Sequence, residues 1–386
     1  MPDIHIYGGG MSGLTAALLL EEQNLDYQLY ETQSHWGGKL QTTHQEGFAL
    51  DHGFQVIQSA YPAMDVYHKR GYMNDALAFG SGAWLLSHGK KTLLADPLRE
   101  FPKGLAALGH SSIKLTDVWR VAKLRNQLLQ QSPESFFQSS TVTTLQYLQQ
   151  QGFSPSFIDA FFKPFFTGIF LEEALNTPCS MFQFVFWALA KGKACLLPGG
   201  IQTLPNRIVA QLNPQKIHLN VPVTKASNTP VPQTHFSTQA HYFAVDSDLG
   251  LGKFIGLNAS NSGAINLMAI PSAVQSGYAP RGKHLLCVSV KPSVSHPNCQ
   301  ATPDQIRFEA EQLLGTQIHG HWLNSFTVPQ ALPADTKYQY GYAVSDGVGE
   351  SDADGLEFHA TGSVANPSLN AAILHGMSFV SSINCR

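Results

Sequence analysis

The stretch Ile6 to Leu20, IYGGGMSGLTAALLL, sets four glycines between a short apolar run and a long one rich in alanine and leucine. Ile4, Ile6 and Tyr7 predict a buried strand, and Leu14 to Leu20 a helix packed against a sheet. Between them Gly8, Gly10 and Gly13 spell G-x-G-x-x-G. Each answers a demand for backbone space: Gly8 allows the tight turn out of the strand, Gly10 lets the main chain approach a pyrophosphate, and Gly13 lets the helix lie close to the strand. Met11 and Ser12 then open the helix, where free N–H groups face an anion. The second predicted strand, DYQLYE, ends on Glu31, about 20 residues beyond the glycines, where a dinucleotide fold seats an acid on ribose hydroxyls. A carboxylate there disfavours the extra phosphate of NADP. A P-loop is excluded because no Lys-Ser/Thr follows the glycines, and a hydrolase elbow because Ser12 is out of the G-x-S-x-G frame. These residues predict a dinucleotide site and leave NAD and FAD both open.

Composition narrows the partners. At 386 residues the chain is long enough for two domains, because single cores stop growing below this size. It is 43% hydrophobic and only 13% charged, with a net charge of −3 and no Lys/Arg run. No basic field exists to hold a nucleic acid. The cysteines (Cys179, Cys195, Cys287, Cys299 and Cys385) are odd in number and lack C-x-x-C spacing, which predicts reduced thiols rather than disulfides or a zinc site. His319 and His321 alternate along a predicted strand with no third ligand nearby, so no metal is expected. On this reading Gly8 leaves no room for a leader, and no near-eighteen-residue apolar run is present to span a membrane. The expected location is the cytoplasm.

The next segment, ETQSHWGGKLQTTHQEGFALDHGFQV, carries Gly37-Gly38, Lys39, Thr42, Gly47-Phe48 and Asp51-His52-Gly53 in that order. The order resembles the flavin-containing amine oxidase superfamily, which also includes protoporphyrinogen oxidases and phytoene desaturases or carotenoid isomerases. There an acid is followed by GG-R/K, T and G-F/Y-x-x-D-x-G. CLLPGGIQTLPNRIVAQL is similar to the family's P-x-G-G-M segment, IHLNVPVTKAS to its adenine-contacting strand, TVPQALPAD to its Ala-Leu-Pro segment, and FHATGSVANPSLNAAILHG to its closing G-D, S-L-N-x-A, S-G motif.

The resemblance covers nearly the whole chain and implies FAD as the cofactor. It implies Glu31 on the adenosine ribose, Gly38 and Lys39 beside the phosphates and ribityl chain, and Gly53 with Phe54 near the isoalloxazine. Pro198, Gly199, Gly200 and Ile201 would return the chain toward the flavin, and Val223 would contact adenine through its backbone. Gly362, Ser363, Ser368 and Leu369 would lie where the closing helix turns its N-terminus to the cofactor. Two departures stand out: Ser363 replaces the family's acid, and His375-Gly376-Met377 replaces its S-G-R. They imply one weakened polar contact. The S-G-G-C-Y sequence that attaches flavin covalently in some relatives is absent, and Cys385 lies beyond the closing helix, so non-covalent FAD is expected.

The spacing of these matches implies an α/β fold in which a Rossmann-type FAD-binding domain, residues 1–58, 191–233 and 330–386, is interleaved with an α+β substrate domain, residues 59–190 and 234–329. Leu115 to Gln131 and Thr144 to Gln150 predict helices, HLLCVSV a strand, and Pro164 a kink or break. Phe161, Phe162, Phe165, Phe166 and Phe170, followed by Phe182, Phe184, Phe186 and Trp187, predict core packing for most of these rings and a cavity wall for some. Such a cavity suits a small apolar or conjugated molecule, since no paired carboxylate stands nearby for an ammonium. Lys163, His52 and Lys191 are the candidates for a general base, each better explained as structural or exposed, and no catalytic residue is assigned. A flavin accepts hydride itself. Three activities stay open: hydride removal from a C–N or C–C bond, isoprenoid desaturation or isomerisation with peripheral membrane contact, and FAD binding without turnover.

Overall fold

A computed structural model describes residues 4–96, 99–100, 113–138, 142–222, 235–292, 301–334, 356–360 and 368–384. The glycine-loop region builds a four-stranded parallel sheet in the order Ile217–His218, Tyr27–Tyr30, Ile4–Tyr7, Leu356–His359. Its strands therefore come from three widely separated stretches of chain. Alternation puts Ile4, Ile6, Tyr27, Leu29, Leu356 and Phe358 on the buried face. There they pack with Leu14, Leu18, Ile373 and Phe379 of two helices, Met11–Glu22 and Leu369–Asn384. The first helix is apolar on nearly every side and correspondingly buried. The two helices meet closely because Gly376 has no side chain: a Cβ there would fall 2.4 Å from the Ser12 carbonyl oxygen. On the opposite face, His218, Tyr30, Tyr7 and His359 form a stacked row of rings across the strands.

The second sheet has seven strands in the order Gly320–Pro333, His235–Val245, His284–Val290, Ile265–Ala269, Ile255–Asn258, Gly82–Ser87, Lys90–Ala95. All neighbours are antiparallel except Ile255–Asn258 with Gly82–Ser87. The HLLCVSV segment is one of these strands, and the strand Gly320–Pro333 runs through residue 330. One face buries Phe243, Leu286 and Val288 against Ile306 and Ala310 of the helix Pro303–Leu314, which opens on a Thr302–Gln305 capping box. On the other face, Tyr242, Leu285 and Cys287 pack on Phe48 and Leu50 of the hairpin Thr42–Gln45/Phe48–Asp51.

The remaining helices carry the aromatic stretch. Helices form at Leu115–Leu129 and, on a Thr143–Gln146 capping box, at Thr144–Gln150. Pro164 does not break its segment. Helical structure runs from Pro155 to Phe170, and a π-turn at Ile158–Phe162 sits just ahead of the proline. The proline removes the N–H that would close the next regular turn, and the wider turn accommodates that loss. Phe162, Phe166, Phe170, Phe182 and Phe184 are core residues, while Phe161, Phe165 and Phe186 are only half-buried at its edge.

Candidate functional site

The glycine loop leaves the first strand at Gly8, whose φ is +111° and whose N–H donates to the Tyr30 carbonyl at 2.8 Å. Gly13 is packed as tightly as the sequence requires, since a Cβ there would lie 2.0 Å from the Gly8 oxygen. Gly10 differs. It caps the helix Met11–Glu22 with an ordinary φ of −75°, and a Cβ added to it would meet nothing within 4 Å. Open space over a helix N-terminus is what an incoming pyrophosphate requires.

Glu31 stands at the end of the second strand, with one carboxylate oxygen accepting from Gly9 N at 2.6 Å and the other from Gln33 N at 2.8 Å. Gly38 closes on the same loop: its φ is +59°, and a Cβ on it would sit 3.2 Å from the Gly10 Cα. Trp36 covers the outer side of Gly9, where a Cβ would come within 2.4 Å of its ring. Sequence reading missed this tryptophan, which lies beside a motif without belonging to it. Met11 and Ser12 are buried in the first helical turn, and Ser12 Oγ hydrogen-bonds His375 Nδ1 at 2.8 Å. His375, where the family has a serine, thus joins the closing helix to the glycine-loop helix. Burial pushes its pKa down to about 4, so it stays neutral. Ser368 Oγ accepts from Ala371 N at 3.2 Å, capping the helix that begins at Leu369. Val223, Gly362 and Ser363 lie outside the described residues.

A second cluster forms around Gly53. Lys39 is exposed, and its Nζ donates to the Ala331 carbonyl at 2.9 Å. Gln55 bridges the carbonyls of Lys39 and His52, each at 2.9 Å. Gly53 has φ +99° and faces Val328, 4.0 Å from where its Cβ would be. Val328 and Ala331 of the TVPQALPAD segment therefore lie over Gly53 and Lys39. Phe54 is half-buried and meets Phe79 edge-on at 5.9 Å. Below them lies Asp51, buried, with the Gly200–Ile201 turn against it: Ile201 N donates to its carboxylate at 2.9 Å.

His52 bonds Thr43 Oγ1 at 2.9 Å and stacks on Phe326 at 4.2 Å, and its pKa is lowered by burial and by His35. Lys191 is exposed and lies over the Trp187 ring at 4.7 Å. Lys163 is half-buried at the start of its helix. Cys179, Cys195 and Cys287 are buried and in no disulfide, and no metal-binding cluster occurs among the described residues.

A glycine-looped parallel sheet joined to a mostly antiparallel one defines the class: a protein with a Rossmann-type nucleotide-binding fold. The profile described as "Flavin containing amine oxidoreductase" matches residues 11–246, and the chain belongs to that family. Solved structures with the same fold include a putative protoporphyrinogen oxidase from Exiguobacterium sp. 255-15, TM-score 0.67 at 16% identity, covering 100% of this chain and 99% of the other. A putrescine oxidase with bound putrescine gives 0.66 at 14% identity, with the same coverages. Among curated proteins, a 4,4'-diaponeurosporene oxygenase of Staphylococcus haemolyticus is 38% identical over 58 residues, 15% of this chain and 12% of that protein. A 4,4'-diapolycopen-4-al dehydrogenase of Metabacillus indicus is 29% identical over 72 residues, 19% of this chain and 15% of its own. The chain thus aligns with only a small fraction of these curated relatives.

Proposed function

We propose that the protein holds FAD without a covalent bond and removes hydride from a C–N or C–C bond of an apolar small molecule, with oxygen or another acceptor reoxidising the flavin. The pyrophosphate would lie over Gly10 and the first turn at Met11 and Ser12, the adenosine ribose at Glu31, and the ribityl chain past Gly38 and Lys39, with the isoalloxazine toward Gly53 and Phe54. The open space at Gly10, beside glycines packed too tightly to change, supports this course. When bound, FAD supplies the hydride acceptor. The chain's own task is to orient the donor carbon and exclude water. The reading of an apolar substrate rests on one observation: Phe161, Phe165 and Phe186 stand half-buried at the edge of an otherwise sealed aromatic core.

The short matches to proteins named for carotenoid conversion favour a second reading within this one, a conjugated isoprenoid as the donor of a C–C hydride. Among the described residues no helix is long and apolar enough to cross a membrane, so that reading calls for contact with a lipid surface rather than a span. An anaerobic screen at the flavin absorbance tests both. Bleaching by apolar amines or isoprenoids is the expected result. Bleaching by charged polyamines alone would overturn the apolar assignment.

A further inference from the structure

Asp51 belongs to the motif around Gly53, yet the cofactor reading leaves it without a task. Its side chain is 3% exposed. Oδ1 accepts from Thr42 Oγ1 at 2.7 Å and from Ile201 N at 2.9 Å, and Oδ2 from the Tyr278 hydroxyl at 2.7 Å. Thr42 Oγ1 itself accepts from Gln202 N at 3.1 Å, so its single hydrogen is committed to Asp51. The Asp51 carbonyl accepts from the Tyr242 hydroxyl at 2.7 Å, and that hydroxyl also lies 3.1 Å from the Gly53 carbonyl. Gly200 presses on the same point, since a Cβ there would lie 2.3 Å from Thr42 Cγ2 and 2.8 Å from Asp51 Oδ1.

One carboxylate thus ties the hairpin leading to Gly53, the Gly199–Ile201 turn and residues packed on the seven-stranded sheet. A buried ion is costly without a counter-charge, and a neutral amide of the same shape would fill the space as well. The groups facing Asp51 are Thr42 and His44 from its own hairpin, Ile201 N–H from the turn, Tyr278, and Tyr242 with Cys287 from two adjacent strands. Of these, His44 alone can carry a positive charge.

We propose that Asp51 is a positioning residue whose carboxylate sets the spacing of the Gly53 and Gly199–Gly200 turns, so that FAD affinity depends on its charge. The inference rests on the FAD site proposed above and gives Asp51 no contact with cofactor or substrate. Burial raises its carboxyl to about 6, against the hydrogen bonds of Thr42, Ile201 and Tyr278, so the charge is present at neutral pH and lost in mild acid.

The test is FAD titration of the full-length protein by flavin fluorescence, above and below that pH, for the parent, Asp51→Asn and Tyr278→Phe. An asparagine keeps both Oδ1 bonds and removes the charge, but its NH2 can only donate to the Tyr278 oxygen and leaves the tyrosine O–H without its acceptor, a loss that Tyr278→Phe reports separately. Above the transition, Asp51→Asn should raise the Kd about tenfold or more, the scale of losing charge-assisted hydrogen bonds. Below it the two proteins should converge, because the parent carboxyl is then neutral as well. Tyr278→Phe should weaken FAD by a smaller factor with the same pH trend. Equal Kd values for parent and Asp51→Asn at both pH values overturn the proposal and leave the FAD site standing. A folded parent that takes up no FAD overturns the site and the proposal together. Should Asp51→Asn fail to fold, an unchanged Kd in Tyr278→Phe overturns the proposal.

Discussion

Gly10 and Gly13 sit three positions apart in one motif and should respond oppositely to the same change. At Gly10 the backbone φ suits any residue and a Cβ meets no atom within 4 Å, so Gly10→Val should keep the melting temperature near the parent's while FAD uptake is lost. At Gly13 a Cβ would collide with the Gly8 carbonyl at 2.0 Å, so Gly13→Val should cost several kcal/mol of fold stability, read as early melting. Two variants with the same phenotype would sink this division of roles. Asp51 makes a third case, with the sign set by linkage. Its folded carboxyl, at about 6, lies above the 3.8 of the free group, so its contribution to apoprotein stability is full below the lower value and lost as pH rises through the upper one. Relative to Asp51→Asn, the parent apoprotein should lose on the order of 2–3 kcal/mol between those limits, measured by denaturant unfolding. The glycines were legible in sequence because backbone space is a local demand. The partners of Asp51 were not, because Tyr278 and Tyr242 reach it from 227 and 191 residues away.

The helical segment Pro155 to Phe170 shows what periodicity reveals and what it leaves open. Its aromatic content was plain, but its continuity through Pro164 was not, and which rings face the core depends on the turn geometry at Ile158–Phe162, where a π-turn resets the phase of the side chains that follow. Phe166 is 1% exposed and meets Phe182 and Phe170 at 4.7 and 5.2 Å between ring centres. Phe166→Asn should therefore cost roughly 3–5 kcal/mol through a cavity and an unpaired amide, seen as a lowered melting temperature. Phe161→Asn and Phe165→Asn, at half-buried positions, should melt close to the parent, retain FAD and change the binding of a conjugated apolar probe. If all three variants merely melt early, the stretch is core throughout and the apolar site must be sought elsewhere.

Across the whole molecule, the proposed cofactor course touches stretches of chain that are far apart, and only tertiary contacts bring them together: Glu31 to Gly9, Lys39 to Ala331, Asp51 to Ile201, Ser12 to His375. A ligand bound across them stabilises the folded state alone, so FAD at about a hundred times its Kd should add about 2.7 kcal/mol and raise the melting temperature in one cooperative step. Acid denaturation should then release intact FAD, whereas flavin colour precipitating with the chain would reveal a covalent bond. The dinucleotide motif, the family and many of the strands and helices follow from sequence because each depends on residue type at short, regular spacing. Tertiary structure alone decided which phenylalanines are core, that Trp36 lies over the glycine loop, and that a buried carboxylate joins two glycine turns to the larger sheet. Each of these depends on which distant residue fills the space beside the group, and spacing along the chain carries no record of that.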